Sequence, residues 1–270
     1  MTVLDRGQVA APGRSPVLTA TRARLGLVAL LFVLAAVGWA WTEHEMRGMD
    51  DGPWTALGGF GWFLGVWVVM MAAMMFPSVA PTVALYSRLM RQRDAVKPYL
   101  FAAGYLLTWT VAGVAAYGIG VGASHWIGDS LAWDNAGRSI AGTTLLVAAV
   151  YELTPLKEVC LGKCRSPLGA LLGSWREGNL GALRMGTENG AWCVGCCWAL
   201  MASLFALGVM SIAWMAFVAS LIAVEKLLPW RRVATFGVTA VLVVLGVLVL
   251  AEPDSLAGLT IPSSGGMSMM

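Results

Sequence analysis

The sequence predicts an all-α fold: a polytopic transmembrane helical bundle of about seven helices, N-terminus in and C-terminus out. Three observations carry this expectation. Of 270 residues, 58% are hydrophobic and only 12% charged, too apolar for an ordinary soluble domain. The mean hydropathy is +0.73, and several uncharged runs are long enough to cross a bilayer. Lysine and arginine gather on alternate loops, as the positive-inside rule requires. The net charge of +3 is small and confined to those loops, so it reads as membrane topology and not as affinity for nucleic acid.

Residues 1–24 form a polar tail with Arg6, Arg14, Arg22 and Arg24, predicted to be cytoplasmic. The first apolar run, 25–41, is long for a signal-peptide core and its leader is long too, so it is read as a retained helix. A loop at 42–58 carries Glu43, His44, Glu45, Met46, Met49, Asp50 and Asp51. The second helix, near 59–86, contains Pro77 and Pro81, which kink a membrane helix and free backbone carbonyls. A basic loop with Arg88, Arg91, Arg93 and Lys97 follows, then a third helix near 99–123 and a loop with His125, Asp129 and Asp134. The fourth helix, from 138 to about 151, is expected to end or bend at Pro155. The polar stretch 157–189 repeats Leu168, Leu171, Leu172 and Trp175 at helical spacing, the pattern of an amphipathic helix on a membrane surface. Residues 190–223 are too long for one span and fit two short helices turning near 208–211. The last helix lies near 233–250. The bundle is therefore bounded at 25–252, with a flexible external tail at 253–270. The 32 glycines suit close helix packing, for which Gly61-x3-Gly65 and Gly118-x3-Gly122 are candidate sites.

Against this apolar background one stretch stands out: Trp192-Cys193-Val194-Gly195-Cys196-Cys197-Trp198-Ala199-Leu200-Met201. Three of the five cysteines fall within five residues. On a helix, Cys193 and Cys197 share one face at i and i+4, and Met201 extends that stripe by a turn. Cysteine often packs as a small hydrophobe, but a cluster with a second pair upstream, Cys160 and Cys164, points to metal or thiol chemistry. The predicted topology puts all five on the cytoplasmic side, where reduction keeps thiols free. The Cys160-x3-Cys164 spacing is looser than a zinc Cys-x2-Cys.

A second stripe lies on the second helix, Met70 with Met74 and Met71 with Met75. If that helix descends while the cysteine helix rises, Met74 and Met75 come level with Cys197 and Met201. Thioether and thiolate select Cu(I), and a neutral thioether holds it in hydrocarbon without burying an anion. The same methionines also serve as adaptable core filler. His44, Met46, Met49 and the terminal Met267, Met269 and Met270 offer weaker donors on the outer side. Glu152 and Glu225-Lys226 are ionisable groups close to the membrane. No nucleotide-binding loop, catalytic triad or HExxH motif is present, so binding is favoured over catalysis.

Taken together, Met70-Met71-Ala72-Ala73-Met74-Met75-Phe76-Pro77, Leu153-Thr154-Pro155-Leu156-Lys157, Cys160-Leu161-x-x-Cys164-Arg165-Ser166-Pro167, Gly195-Cys196-Cys197-Trp198-Ala199-Leu200-Met201 and Glu225-Lys226 resemble the family of predicted metal-binding integral membrane proteins of unknown function. Many members carry Gln where this chain has Glu152 and His where it has Asn189. The resemblance implies metal binding.

The expectation is thus a bacterial inner-membrane, multi-pass protein that handles a soft ion, Cu(I) first and zinc second. Cys193, Cys196, Cys197 and Met201 would form the inner site, Met70, Met71, Met74 and Met75 the membrane route, and Cys160 and Cys164 exchange ligands. Its partners would be membrane lipid and a copper chaperone or membrane metalloenzyme. Two rivals stay open: a thiol-redox membrane protein cycling Cys196-Cys197 or Cys160/Cys164, and a non-catalytic subunit of a membrane oxidase or monooxygenase.

Overall fold

The computed structural model describes residues 16–46, 58–89, 96–127, 138–207, 212–228 and 230–251. The described residues form nine α-helices and no strand: α1 (Pro16–Met46), α2 (Phe60–Leu89), α3 (Lys97–Ile127), α4 (Arg138–Glu152), α5 (Pro155–Arg165), α6 (Pro167–Gly173), α7 (Gly178–Leu207), α8 (Ile212–Leu227) and α9 (Arg231–Ala251). The all-α part of the expectation holds, with nine helices among the described residues in place of about seven. The predicted turn at 208–211, the basic loop at 90–95, and the outer donors Met49, Met267, Met269 and Met270 lie outside the described residues.

The extra helices have local causes. Thr154 caps α5, its hydroxyl accepting from Lys157 N at 3.3 Å, and Pro155 occupies the first turn, where its missing N–H costs nothing. The axis turns by 70° between α4 and α5. Pro167 opens α6 in the same way. Of the predicted amphipathic face, Leu171 is buried while Leu168 and Leu172 are exposed. Gly178, at φ +81°, starts α7 in the left-handed region that favours glycine, so this helix begins a dozen residues before the apolar run.

Four helical stretches are long and apolar enough to cross a membrane: Leu25–Glu45, Phe60–Leu89, Lys97–Ala123 and Arg231–Ala251; the bent pair α4–α5 adds a fifth if counted as one span. Their outer faces stay apolar, with Val37, Val111, Ile119, Val150 and Phe236 exposed, a surface that hydrocarbon solvates better than water.

Contacts fix the relative directions. Trp67 donates to Trp109 O at 2.8 Å and Tyr86 stacks on Phe101, so α2 and α3 run antiparallel. Gly186 faces Phe101 and Gly190 faces Tyr105 and Thr108, so α3 and α7 run parallel. Hence α2 and α7 are antiparallel, as the two-stripe argument needs. The α3–α7 crossing is backbone on backbone: a Cβ on Gly104 would meet Leu183 O at 2.1 Å, and one on Gly186 would meet Phe101 O at 2.0 Å. A similar approach joins α4 and α9 at Gly142 and Gly246. The sequence candidates Gly61, Gly65, Gly118 and Gly122 instead face open space, since GxxxG is frequent by chance in so glycine-rich a chain.

Candidate metal centre

The centre is assembled where α5 lies across α7. The bend at Pro155 lays α5 on α7 closely enough that a Cβ on Gly195 would meet Cys160 Sγ at 2.9 Å. On α5, Cys160 is buried and Cys164 half-buried. On α7, Cys193, Cys196 and Cys197 are 2%, 1% and 2% exposed. All five cysteines are free thiols.

Cys164, Cys193 and Cys196 offer three sulfur atoms that lie within 4.8 Å of one another. Cys164 and Cys196 are 3.6 Å apart, Sγ to Sγ. A metal–thiolate bond of about 2.3 Å, the zinc value, separates two sulfurs by at most about 4.6 Å, so the group has the spread of a ligand set. Cys197 and Cys196 both donate to Cys193 O, at 2.9 and 3.1 Å. Among the sulfur ligands read from the sequence, the structure thus joins Cys164 to the α7 pair Cys193 and Cys196. Cys197 sits one turn further along α7, and Cys160 packs beside Gly195.

Two residues that sequence reasoning did not tie to the site complete it. Tyr105 of α3 donates to Cys193 Sγ at 2.9 Å, delivered there by the glycine crossing. Lys226 of α8 donates to the same sulfur at 3.1 Å and to Ser78 Oγ of α2 at 3.3 Å. Glu225-Lys226 was visible as an ionisable pair; its target was not. The pair splits its roles: Glu225 meets Lys157 of α5 at 2.7 Å, and Lys157 also meets Glu152. All three are at most 2% exposed, so two carboxyl groups and one ammonium are buried together behind the thiol helices. Tyr151 adds a hydrogen bond to Gly195 O.

The methionines are placed by the same contacts. Met70, Met71, Met74, Met75 and Met201 are all buried. Ser78 donates to Met75 O at 2.8 Å and is bridged by Lys226 to Cys193. α2 lies mainly against α1 and α3, and α7 against α3, α4 and α5, so the methionine and cysteine stripes sit on helices that have other main neighbours. Outside the centre, His44 is exposed on α1.

An all-helical protein with several helices apolar enough to cross a membrane and a buried soft-donor cluster is the class this geometry defines. The copper chaperone family PpoB2 matches residues 64–249, which run from early α2 nearly to the end of α9 and include every cysteine. The chain belongs to that family. No curated protein and no solved structure matches it.

Proposed function

We propose that the chain is an integral membrane copper chaperone that holds Cu(I) within the cluster of Cys164, Cys193 and Cys196, on two of its thiolates at a time, and passes it to a partner metalloenzyme. The observation that carries this reading is the group of three free thiols within 4.8 Å, in a chain of a copper chaperone family. Thiolates are soft ligands, and exchange between neighbouring sulfurs moves a tightly held ion without freeing it. Cys160 and Cys197 flank the group as exchange ligands. Met70, Met71, Met74, Met75 and Met201 continue the donors at successive levels, as an uncharged path through the apolar interior. Membrane residence is supported by the four apolar helices and their lipid-like outer faces. In this reading the bundle spans 25–252, residues 1–24 are cytoplasmic and 253–270 lie outside; the cell membrane of a bacterium is the setting.

Anaerobically purified protein in detergent is expected to hold one Cu(I) per chain. In chelator competition, Cys193→Ser is expected to weaken binding by about a hundredfold, since a hydroxyl is a poor soft-metal ligand. Unchanged affinity in folded Cys193→Ser protein would return these thiols to core packing.

One observation favours a second reading. Cys164 and Cys196, 3.6 Å apart, are placed to form a disulfide between α5 and α7, giving two protons and two electrons to an external oxidant. This pairing differs from both thiol pairs visible in the sequence. A free-thiol count falling by two under mild oxidation, with no metal bound in the reduced state, would favour it.

A further inference from the structure

Lys226 is an unusual neighbour for a metal ligand. Its ammonium donates to Cys193 Sγ at 3.1 Å and to Ser78 Oγ at 3.3 Å. Among the described residues no carboxylate lies within ion-pairing distance of it; the adjacent Glu225 points instead to Lys157. Tyr105, which shares the sulfur at 2.9 Å, is a neutral donor. Among the described residues the sulfur side is therefore the anionic partner within reach of this cation. Lys226 is half-buried and Cys193 buried, so the ammonium gains from an anion and a thiolate there needs a cation.

Resting on the copper-binding reading above, we infer that Lys226 is the built-in counter-cation of the metal–thiolate complex and selects a monovalent ion held by two thiolates. The charge count decides it. A monovalent ion on two thiolates carries one net negative charge, which one ammonium cancels. A divalent ion on the same two thiolates is neutral and leaves Lys226 uncompensated. It reaches balance only with all three thiolates, and zinc then lacks the fourth ligand it takes in structural sites. A monovalent ion on three thiolates carries one negative charge too many. Tyr105 acts with Lys226 by occupying two of the three lone pairs of a Cys193 thiolate, which leaves one for an ion. Both are positioning residues, since neither touches the ion.

The experiment uses full-length protein in detergent under anaerobic conditions, titrated with Cu(I) and separately with Zn(II) against chelators. Lys226→Leu removes the charge, keeps an apolar side chain and adds no sulfur donor beside Cys193. It is expected to weaken Cu(I) by about thirtyfold or more, the scale of a lost hydrogen bond to a charged group, while Zn(II) shifts by less than about threefold. Lys226→Arg keeps the charge and is expected to retain Cu(I) affinity within about fivefold, a rescue that loss of packing alone would not give. Tyr105→Phe is expected to weaken both metals alike, by about tenfold or less. X-ray absorption should count two sulfurs at Cu(I) in the native protein.

Three results would overturn the inference: Lys226→Leu with a native Cu(I)-to-Zn(II) ratio, three sulfurs at Cu(I), or folded Lys226→Arg as weak as Lys226→Leu. If Lys226→Leu does not fold, the arginine variant and the sulfur count still decide. Full Cu(I) binding by Cys193→Ser would sink the copper reading itself, whereas loss there with no Lys226 effect would sink only this inference.

Discussion

Cys193 and Met75 are both buried sulfurs of one core, yet the partners of their sulfur atoms differ. Cys193 Sγ receives the Tyr105 hydroxyl and the Lys226 ammonium, and behind it lies the ionic group of Glu152, Lys157 and Glu225. Met75 is fully buried in an apolar cluster with Met71, Phe76 and Val79 on its own helix. The difference follows from the chemistry of the two sulfurs. A thiolate brings charge into the interior and has to be met by donors; a thioether brings none and is packed like any core side chain. A metal path built from both needs polar support at one end only.

The largest effect should come from breaking the ionic group behind the thiol end. Lys157→Met removes the one cation between two buried carboxyl groups and is expected to cost about 3–5 kcal/mol of stability, read from denaturation in detergent. Glu225→Gln should cost much less, because Lys157 keeps Glu152. Equal losses would mean that Lys157 acts through packing alone.

Next in size is the helix crossing that delivers Tyr105. Gly186→Ala places a Cβ against Phe101 O, and the helices must part; a loss of about 1–3 kcal/mol is expected, with weaker Cu(I) binding because Tyr105 moves from Cys193. Native stability and affinity would show that the crossing yields without disturbing the site.

The methionine end should respond in the rate of ion transfer and hardly at all in stability. Met75→Leu conserves volume at a cost usually below about 1.5 kcal/mol, and should leave resting Cu(I) affinity within about threefold while slowing release of Cu(I) to a chelator. An unchanged release rate would return Met75 to core packing. The smallest effect is expected at Gly65, which faces open space on α2; Gly65→Ala should raise stability by about 0.5–1 kcal/mol through helix propensity alone.

Much of this arrangement was legible in the sequence because it is local. Hydropathy placed α2, α3, α4 and α9 to within a few residues, and Pro155 marked the bend. The i, i+4 spacing put Cys193 with Cys197, whereas Cys160 and Cys164, read as part of a polar loop, lie on helix α5. Residues 178–189 were hidden because Arg184 and Glu188 read as loop, although they pair along the helix surface, Arg184 Nε to Glu188 at 3.5 Å, while Ala182, Met185 and Gly186 face α3 and the core. The same charges masked the start of α7. The companions of Cys193 were hidden for another reason: Tyr105 lies 88 residues away and Lys226 33 residues away, and no periodicity links them. The close-packing glycines were hidden because a glycine-rich chain offers many pairs, and only the crossing geometry chooses Gly104 and Gly186.

That separation along the chain has a consequence in time. Synthesis at about 5–20 residues per second makes Lys226 roughly 2–7 s after Cys193, so the thiols of α7 and their charge partner leave the ribosome in that order. α8 arrives as the closing piece, its Glu225 meeting Lys157 of α5 and its Lys226 meeting Cys193 of α7. With Lys226 setting the charge balance at the ion, selectivity is acquired last, an order that the finished structure no longer displays.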